Sequence, residues 1–555
     1  MATTEESAMA TAAAVGPQHG GRLAARALRS RGVTHLFTLS GGHLFSLYDG
    51  CKEEGVRIVD VRHEQSAAFA AEGWAKATRE AGVCALTAGP GVTNGMSAIA
   101  AAQSNRTPLV VLGGRAAESR WGTGSLQEID HLPFVSPLVK SAETVKETAL
   151  VDDATCAAID AALAQPTGPT FLDYPLDVVF QEAESDPPPP PEVGDEEPAA
   201  GVEEAAALLA AAERPAIMAG TGLYWALGED ELRALAEALG APTFLNGMGR
   251  GCLPADHELC FSRARGKGLK EADVVIVVGV PLDFRLGFGG SVGEDAKLIW
   301  LDAAPNTLTA NRKPDVELVG PITPSLRAIR EGSTAGADPA RTAPWVRAVA
   351  DVEAEKREAE REELEDGRAP LHPMRVYGEL NDMLDRDAIV IGDGGDFVSY
   401  AGRVIETHQP GCWMDPGPFG CLGAGPGQAI GAKLARPDQQ VCLLLGDGAF
   451  GFAGMEFDTL ARHGLPVVGV IGNNGIWALE HHPMKFLYGY SVAAELRPAT
   501  RYDQVADALG CHAELVSEPA ELRPALERAF ESGKPALVNV LTDPEVVYPR
   551  KAVLA

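Results

Sequence analysis

At 555 residues the chain is too long for one core and suits about three domains. Its 77 acidic against 47 basic residues, a net charge of −30, argue against nucleic acid as a general partner and require any anionic substrate to find a local basic patch. Nine scattered cysteines without a CxxC pair describe reduced thiols in a cytoplasmic protein, and no apolar run reaches the ~18 residues of a membrane span.

Residues 1–20 are rich in Ala and Thr and lack a basic stretch before an apolar core, so they read as a disordered start and not a signal peptide. In "VRIVDVRHEQSAAFAAEGWAKAT" a strand over 56–61 passes into a helix, with Glu64 at the junction. On the residues alone, an acid in a first helical turn is accounted for by the helix macrodipole. A glycine-rich loop, "TAGPGVTNG", follows at 87–95. A run of five prolines at 187–191, among the acids of 184–198, makes a stiff, solvated linker. "VVIVVG" at 274–279 and "LIWLD" at 298–302 are buried strands, and a small, Pro-containing break covers 332–344. The charged run 352–367 reads as a solvent-facing connector helix. The fold expected is α/β, with three doubly wound parallel-sheet domains over 15–185, 200–330 and 365–545, then a tail over 546–555.

The last domain carries the sharpest geometric signal. A strand over 441–445 stops at Gly446-Asp447-Gly448, an amphipathic helix covers 451–463, and a second strand over 465–471 stops at Gly472-Asn473-Asn474. Such a βαβ unit makes the strands parallel, so Asp447 and Asn474 converge on one sheet edge although 27 residues separate them. Two oxygen donors there suit magnesium, which shares its coordination with phosphate. Gly448 and Ala449 allow backbone amides close to that phosphate, at a helix N-terminus. The chain supplies a control: 27 residues beyond Asp393 of the earlier Gly392-Asp393-Gly394 stands Gly420, with no asparagine pair.

GDG, 24 intervening residues and NN resemble the signature of thiamine-diphosphate-dependent enzymes. The resemblance implies that Asp447, Asn474 and the carbonyl of Ile476 bind Mg2+. It also implies a pyrimidine-binding first domain, a Rossmann-like central domain and a diphosphate-binding last domain. "RHE" followed by a small-residue helix is similar to the family's catalytic-glutamate segment, which gives Glu64 a hydrogen bond to the pyrimidine N1′. "MDPGPFGCLGAGPGQAIGA" at 414–432 resembles the loop beneath the cofactor, with Gly420 accepting from the 4′-amine and Leu422 as the apolar wedge. "GDGGDF" at 392–397 is a looser likeness that offers Gly395 and Asp396 near the diphosphate. The family assembles its site between subunits, so a homodimer or homotetramer is implied, with Glu64 facing Asp447 across chains.

From about residue 20 onward the chain resembles the acetolactate-synthase-like superfamily. "FTLSGGHLFSL" at 37–47, "GSLQEID" at 124–130 and the stretch 392–425 look most like 2-hydroxyacyl-CoA lyases. A true acetolactate synthase usually carries a "GMVxQWQ"-like segment after NN, where "GIWALEHHPMKFLYGYS" stands here. The substrates implied are a CoA thioester and a small carbonyl compound. Alternatives are acetolactate-type condensation of 2-keto acids, oxalyl-CoA decarboxylation, or a silent thiamine-fold regulatory subunit. His43, Gln127 and Glu495 are the candidates around the reacting carbon. Each has a structural alternative: a helix cap, a loop tie and a solvated helix respectively. Arg550 and Lys551 in the tail could meet CoA phosphates as a lid, or fray as an ordinary terminus. "MAGTGLYWA" at 218–226 and "LDAAPN" at 301–306 look like nucleotide-binding remnants, with ADP favoured over FAD under the lyase reading.

Overall fold

The computed structural model describes residues 16–192, 194 and 196–549, so Arg550 and Lys551 lie outside the described residues. The first domain has strands β1 (His35–Thr38), β2 (Arg57–Asp60), β3 (Gly82–Leu86), β4 (Leu109–Arg115), β5 (Ser141–Thr144) and β6 (Thr170–Pro175). All are parallel, in the spatial order β2-β1-β3-β4-β6-β5. The helices that matter for function here are α1 (Glu64–Thr78) and α2 (Pro90–Ser104).

The central domain has β7 (Pro215–Ala219), β8 (Thr243–Leu245), β9 (Cys260–Phe261), β10 (Val274–Val278), β11 (Lys297–Asp302) and β12 (Val316–Val319). Their order, β9-β8-β7-β10-β11-β12, is that of a dinucleotide-binding sheet. Helix α3 (Pro339–Leu364) leads into the last domain, which holds β13 (Ile389–Asp393), β14 (Trp413–Met414), β15 (Val441–Gly446), β16 (Val468–Asn473), β17 (His512–Val516) and β18 (Ala536–Leu541). Its order, β14-β13-β15-β16-β18-β17, repeats that of the first domain. Its helices include α4 (Asp396–Val404), α5 (Ala424–Ala435), α6 (Asp447–Ala453), α7 (Glu456–His463) and α8 (Ala478–Tyr488). The fold is three doubly wound α/β domains, with strands buried on both faces as parallel sheets require. Among the described residues no helix is long and apolar enough to cross a membrane.

Two expectations need correction. The helix expected over 451–463 starts earlier, at Asp447, and splits in two at Gly454–Met455, where the Phe450 ring lies 2.5 Å from where a Cβ on Gly454 would sit. The charged run over 352–367 belongs to a 26-residue helix that starts at Pro339, inside the expected break, and is no mere connector. Its Glu353 and Glu360, two turns apart on one face, are buried. Glu353 accepts from the Ala264 amide (2.8 Å), and Glu360 bridges Arg263 (2.7 Å) and Arg403 (2.8 Å), tying the central domain to the last.

The small residues of α1 and α5 have a packing cause. A Cβ on Gly431 would lie 1.9 Å from the Ala70 carbonyl oxygen, and one on Gly73 would lie 2.2 Å from that of Gln428. The helices therefore meet backbone to backbone, clamping the first domain onto the last. Buried at this seam, Glu72 pairs with Lys76 (3.0 Å) and accepts from Asn105 (3.0 Å) and Gln428 (3.0 Å).

Candidate active site

In the last domain the chain order reverses between β13 and β15, so ligands are expected at their carboxyl ends. Asp447 follows β15 and is buried; its two oxygens accept from the Gly448 amide (2.9 Å) and the Gly475 amide (2.8 Å). Asn474 follows the neighbouring β16. Its Oδ1 accepts from the Ile476 amide (3.1 Å), and its Nδ2 donates to Asp396 (3.4 Å). The structure thus gathers Asp447, Asn474, Ile476 and Asp396 at one sheet edge. Asn473, one residue earlier and on the opposite pleat, turns inward to Asn539 (3.1 Å) and the Thr500 carbonyl (2.9 Å).

Burial pushes the carboxyls of Asp396 and Asp447 up to about 6, and Asp396 adds a like charge to Asp447. No lysine or arginine contributes to either shift. Two buried acids with no cation paired to them among the described residues, beside an amide oxygen and a loop carbonyl, fit a hard divalent ion with oxygen ligands. Among the described residues no group of three His, Cys, Asp or Glu could hold a metal, so this mixed oxygen set is the candidate. Gly394, with φ +143°, passes so close to the next strand end that a Cβ would stand 3.0 Å from the Gly446 amide nitrogen, while Gly395 meets Leu479 at 3.0 Å. Gly448 has a second reason to be glycine: the Trp477 ring lies 2.5 Å from where its Cβ would be.

The first domain converges on the loop after β3. Glu64 is the first residue of α1, and Asn94 Nδ2 donates to its carboxylate (3.0 Å). The Glu64 junction is itself pinned by Glu456 of the last domain, which accepts from the Arg62 amide (3.0 Å). His43 lies 3.3 Å from the Thr87 hydroxyl, and burial, with His131 nearby, holds its imidazole below the usual range. Gln127, at φ +60°, lays its backbone against Gly89. Three of the expected residues therefore surround one loop, 87–94. The organiser that sequence reasoning missed is His131, whose Nε2 accepts from the Gly89 amide (3.0 Å) while its Nδ1 meets buried Asp173 (3.0 Å). Asn94 lies inside the recognised glycine-rich segment, which is the signal that could have found it.

Glu495 stands on no helix. Its backbone bridges that of Ile476, and its exposed carboxylate accepts from Ser491, which holds it below the usual range. Gly420, at φ +68°, is exposed and Leu422 half-buried in the loop before α5. The described start of the tail is packed, with the Tyr548 ring 4.8 Å from that of Tyr400.

Family comparisons match all three domains. Residues 18–134, 202–329 and 393–540 match the thiamine pyrophosphate enzyme N-terminal TPP binding domain, central domain and C-terminal TPP binding domain. The chain belongs to the thiamine pyrophosphate enzyme family. A "Probable acetolactate synthase" of Mycobacterium bovis and the "Acetolactate synthase large subunit IlvG" of Mycobacterium tuberculosis are each 56% identical, over 97% of this chain and 98% of theirs. The "2-hydroxyacyl-CoA lyase 2" of Homo sapiens is 34% identical over 94% of this chain and 90% of its own. Membership supports thiamine diphosphate as cofactor.

The nucleotide expected in the central domain, ADP in preference to FAD, would lie at the edge where its strand order reverses. At the switch point between β7 and β10, Gly222 and Gly279 close on each other, and Arg106 from the first domain pairs with buried Asp302 at 2.5 Å. The cavity left is about 30 Å³, whereas small-molecule pockets hold roughly 300–1,000 Å³. A nucleotide at a hundredfold excess over its Kd adds about 2.7 kcal/mol of stability. We expect neither ADP nor FAD to shift the Tm of this thiamine pyrophosphate enzyme; a rise in differential scanning fluorimetry would reopen the crevice to a nucleotide.

Proposed function

We propose that this thiamine pyrophosphate enzyme is a carbon–carbon lyase that cleaves a 2-hydroxyacyl-CoA to formyl-CoA and an aldehyde or ketone, reversibly. The cofactor supplies a carbanion that adds to a carbonyl and an electron sink for the neighbouring bond. On this reading Asp447, Asn474 and the Ile476 carbonyl hold the magnesium, with Gly395, Asp396, Gly448 and Ala449 around the diphosphate. Glu64 holds a proton at the pyrimidine ring, and His43, Gln127 and Glu495 orient the substrate.

The observation that carries the CoA assignment is a cavity of about 460 Å³ between the central and last domains, lined by Arg250, Arg263, Arg265, Arg357 and Arg403. Three of these are neutralised by Glu353, Glu360 and Glu406. Arg250 gives one hydrogen bond to the Gly402 carbonyl (2.6 Å) and lies over the Trp413 ring, and Arg265 has no ion pair among the described residues. Burial holds both guanidiniums below their usual range, a cost that an anionic ligand would offset. The cavity touches the C-terminal end of α4, whose other end is Asp396; about 12 Å of helix separates them. A phosphate-bearing handle on a long arm spans that distance. A charge-assisted hydrogen bond is worth about 1.5–3 kcal/mol, so Arg265→Ala should raise KM for the CoA thioester about tenfold or more. Unchanged KM would remove the handle from this cavity.

A second reading, acetolactate-type condensation of 2-keto acids, is favoured by the relatives at 56% identity. Incubation with thiamine diphosphate, magnesium and either pyruvate or a 2-hydroxyacyl-CoA separates them: formyl-CoA supports the lyase, acetolactate the synthase. Assembly as a homodimer or homotetramer is part of the proposal. Glu64 has no hydrogen bond to the Asp447 cluster of its own chain among the described residues, and Phe452 and Met455 beside that cluster are more than half exposed.

A further inference from the structure

We propose that Asp393 is a positioning residue that fixes the loop carrying Gly420 and Leu422 over the strand ends. The inference rests on the reading that those two residues touch the cofactor.

Helix α5 begins badly by its own resources. Its N-cap is Gly423, which has no side-chain oxygen for the first amides of the helix. Asp393, the last residue of β13 and fully buried, supplies that oxygen from another element. One carboxylate oxygen accepts from the Gly423 amide (3.0 Å) and the other from the Gly425 amide (2.8 Å). The fit is close: a Cβ on Gly425 would stand 2.6 Å from the Asp393 Cβ, and one on Gly423 would stand 2.7 Å from that of Phe452. The loop's other end is anchored separately. Asp415 accepts from the Gly417 amide (2.9 Å) and from the Trp413 indole (2.9 Å), and the Asn105 side chain lies where a Cβ on Gly417 would be. Between the anchors stand residues 418–422, with Gly420 in the left-handed region.

The acid is costly where it sits. Burial pushes its carboxyl up to about 7 against the two amides, and no cation contributes. A buried carboxyl held by backbone amides alone is worth little as general stabilisation. Its two oxygens matter because they grip two amides two residues apart, which sets both height and tilt of the loop that follows Gly420. It lies on the strand next to the one that Asp447 follows, so loop and metal edge share one frame.

The test uses the full-length protein with thiamine diphosphate and magnesium. In Asp393→Asn one oxygen becomes an amide that cannot accept from the loop. A displacement of about 1 Å costs up to roughly a hundredfold in rate. We expect kcat to fall about ten- to a hundredfold, with KM unchanged and cofactor affinity falling far less than kcat, because the metal-holding Asp447 and Asn474 are intact. Alkylation of half-buried Cys421, followed by mass spectrometry, should quicken; this needs no substrate and so stands even if neither substrate turns over. Gly423→Ala, which displaces the same loop with Asp393 present, should reproduce both effects, and the double variant should be no worse than either single one. Wild-type kcat and wild-type Cys421 protection in Asp393→Asn would overturn the proposal. So would parallel loss of cofactor affinity, which would make Asp393 part of the binding site. Should Asp393→Asn fail to fold, Gly423→Ala decides alone: exposed Cys421 with undiminished kcat overturns it.

Discussion

Glu64→Gln is expected to lower kcat by roughly a hundred- to ten-thousandfold, the range for a lost proton-transfer group, equal to about 3–5 kcal/mol of barrier. Thiamine diphosphate affinity, magnesium affinity and Tm should stay near wild type. The magnitudes separate two roles for this residue. As a first-turn acid it complements the dipole of α1, an effect worth about 0.3–1 kcal/mol. As a proton holder at the pyrimidine it works on the barrier instead. Gln keeps the shape and still accepts from Asn94, whose amide reaches the Glu64 carboxylate at 3.0 Å, so the loop 87–94 keeps its anchor. Single-turnover kinetics beside a thermal melt distinguishes the outcomes. A fully active Glu64→Gln protein with a slightly lowered Tm would leave the residue a helix cap and nothing more.

What the sequence disclosed, and what it hid, follows from how far apart the cooperating residues stand. Asp447 and Asn474 were legible because one βαβ unit contains both, and its handedness and strand direction settle where they end. The order of the sheets was beyond reach, since nothing local tells β13 that β15 will lie beside it. For the same reason Asp393 read only as part of the earlier GDG, a control without an asparagine pair; its amide partners are 30 and 32 residues away, in a helix start that carries no cap of its own. The arginine cavity draws on β9, α3 and α4, elements from two domains, and each arginine taken singly looks like surface charge. Helix α3 misled because its charges are dense all round; only the structure shows that Glu353 and Glu360 share a buried face. His131 had no signal at all, since its partners Gly89 and Asp173 are both 42 residues distant.

Asp447→Asn should raise the stability of the metal-free protein and abolish its response to magnesium, two effects of opposite sign from one substitution. The folded-state carboxyl titrates at about 6, above the ordinary 3.8, because burial and the Asp396 charge favour the neutral form. A group raised in the fold stabilises fully below its unfolded pKa, and that contribution is lost as pH rises through the folded pKa. Between about pH 4 and 6 the metal-free enzyme therefore loses up to about 3 kcal/mol from this residue alone. Asp396 loses stability over the same interval, since burial raises it to about 6 as well. Magnesium requires the ionised carboxylate, so protons compete with it below pH 6 and its apparent affinity should fall about tenfold per pH unit. Thermal melts with and without magnesium and thiamine diphosphate, from pH 5 to 8, measure both trends. The gap between the two melting curves should widen with pH and level off above about 7, while in Asp447→Asn it should vanish and the metal-free Tm at pH 8 should exceed that of wild type. A gap independent of pH would mean that Asp447 does not meet the metal. A lower metal-free Tm in the variant would mean that the acid contributes more through the Gly448 and Gly475 amides than burial takes away.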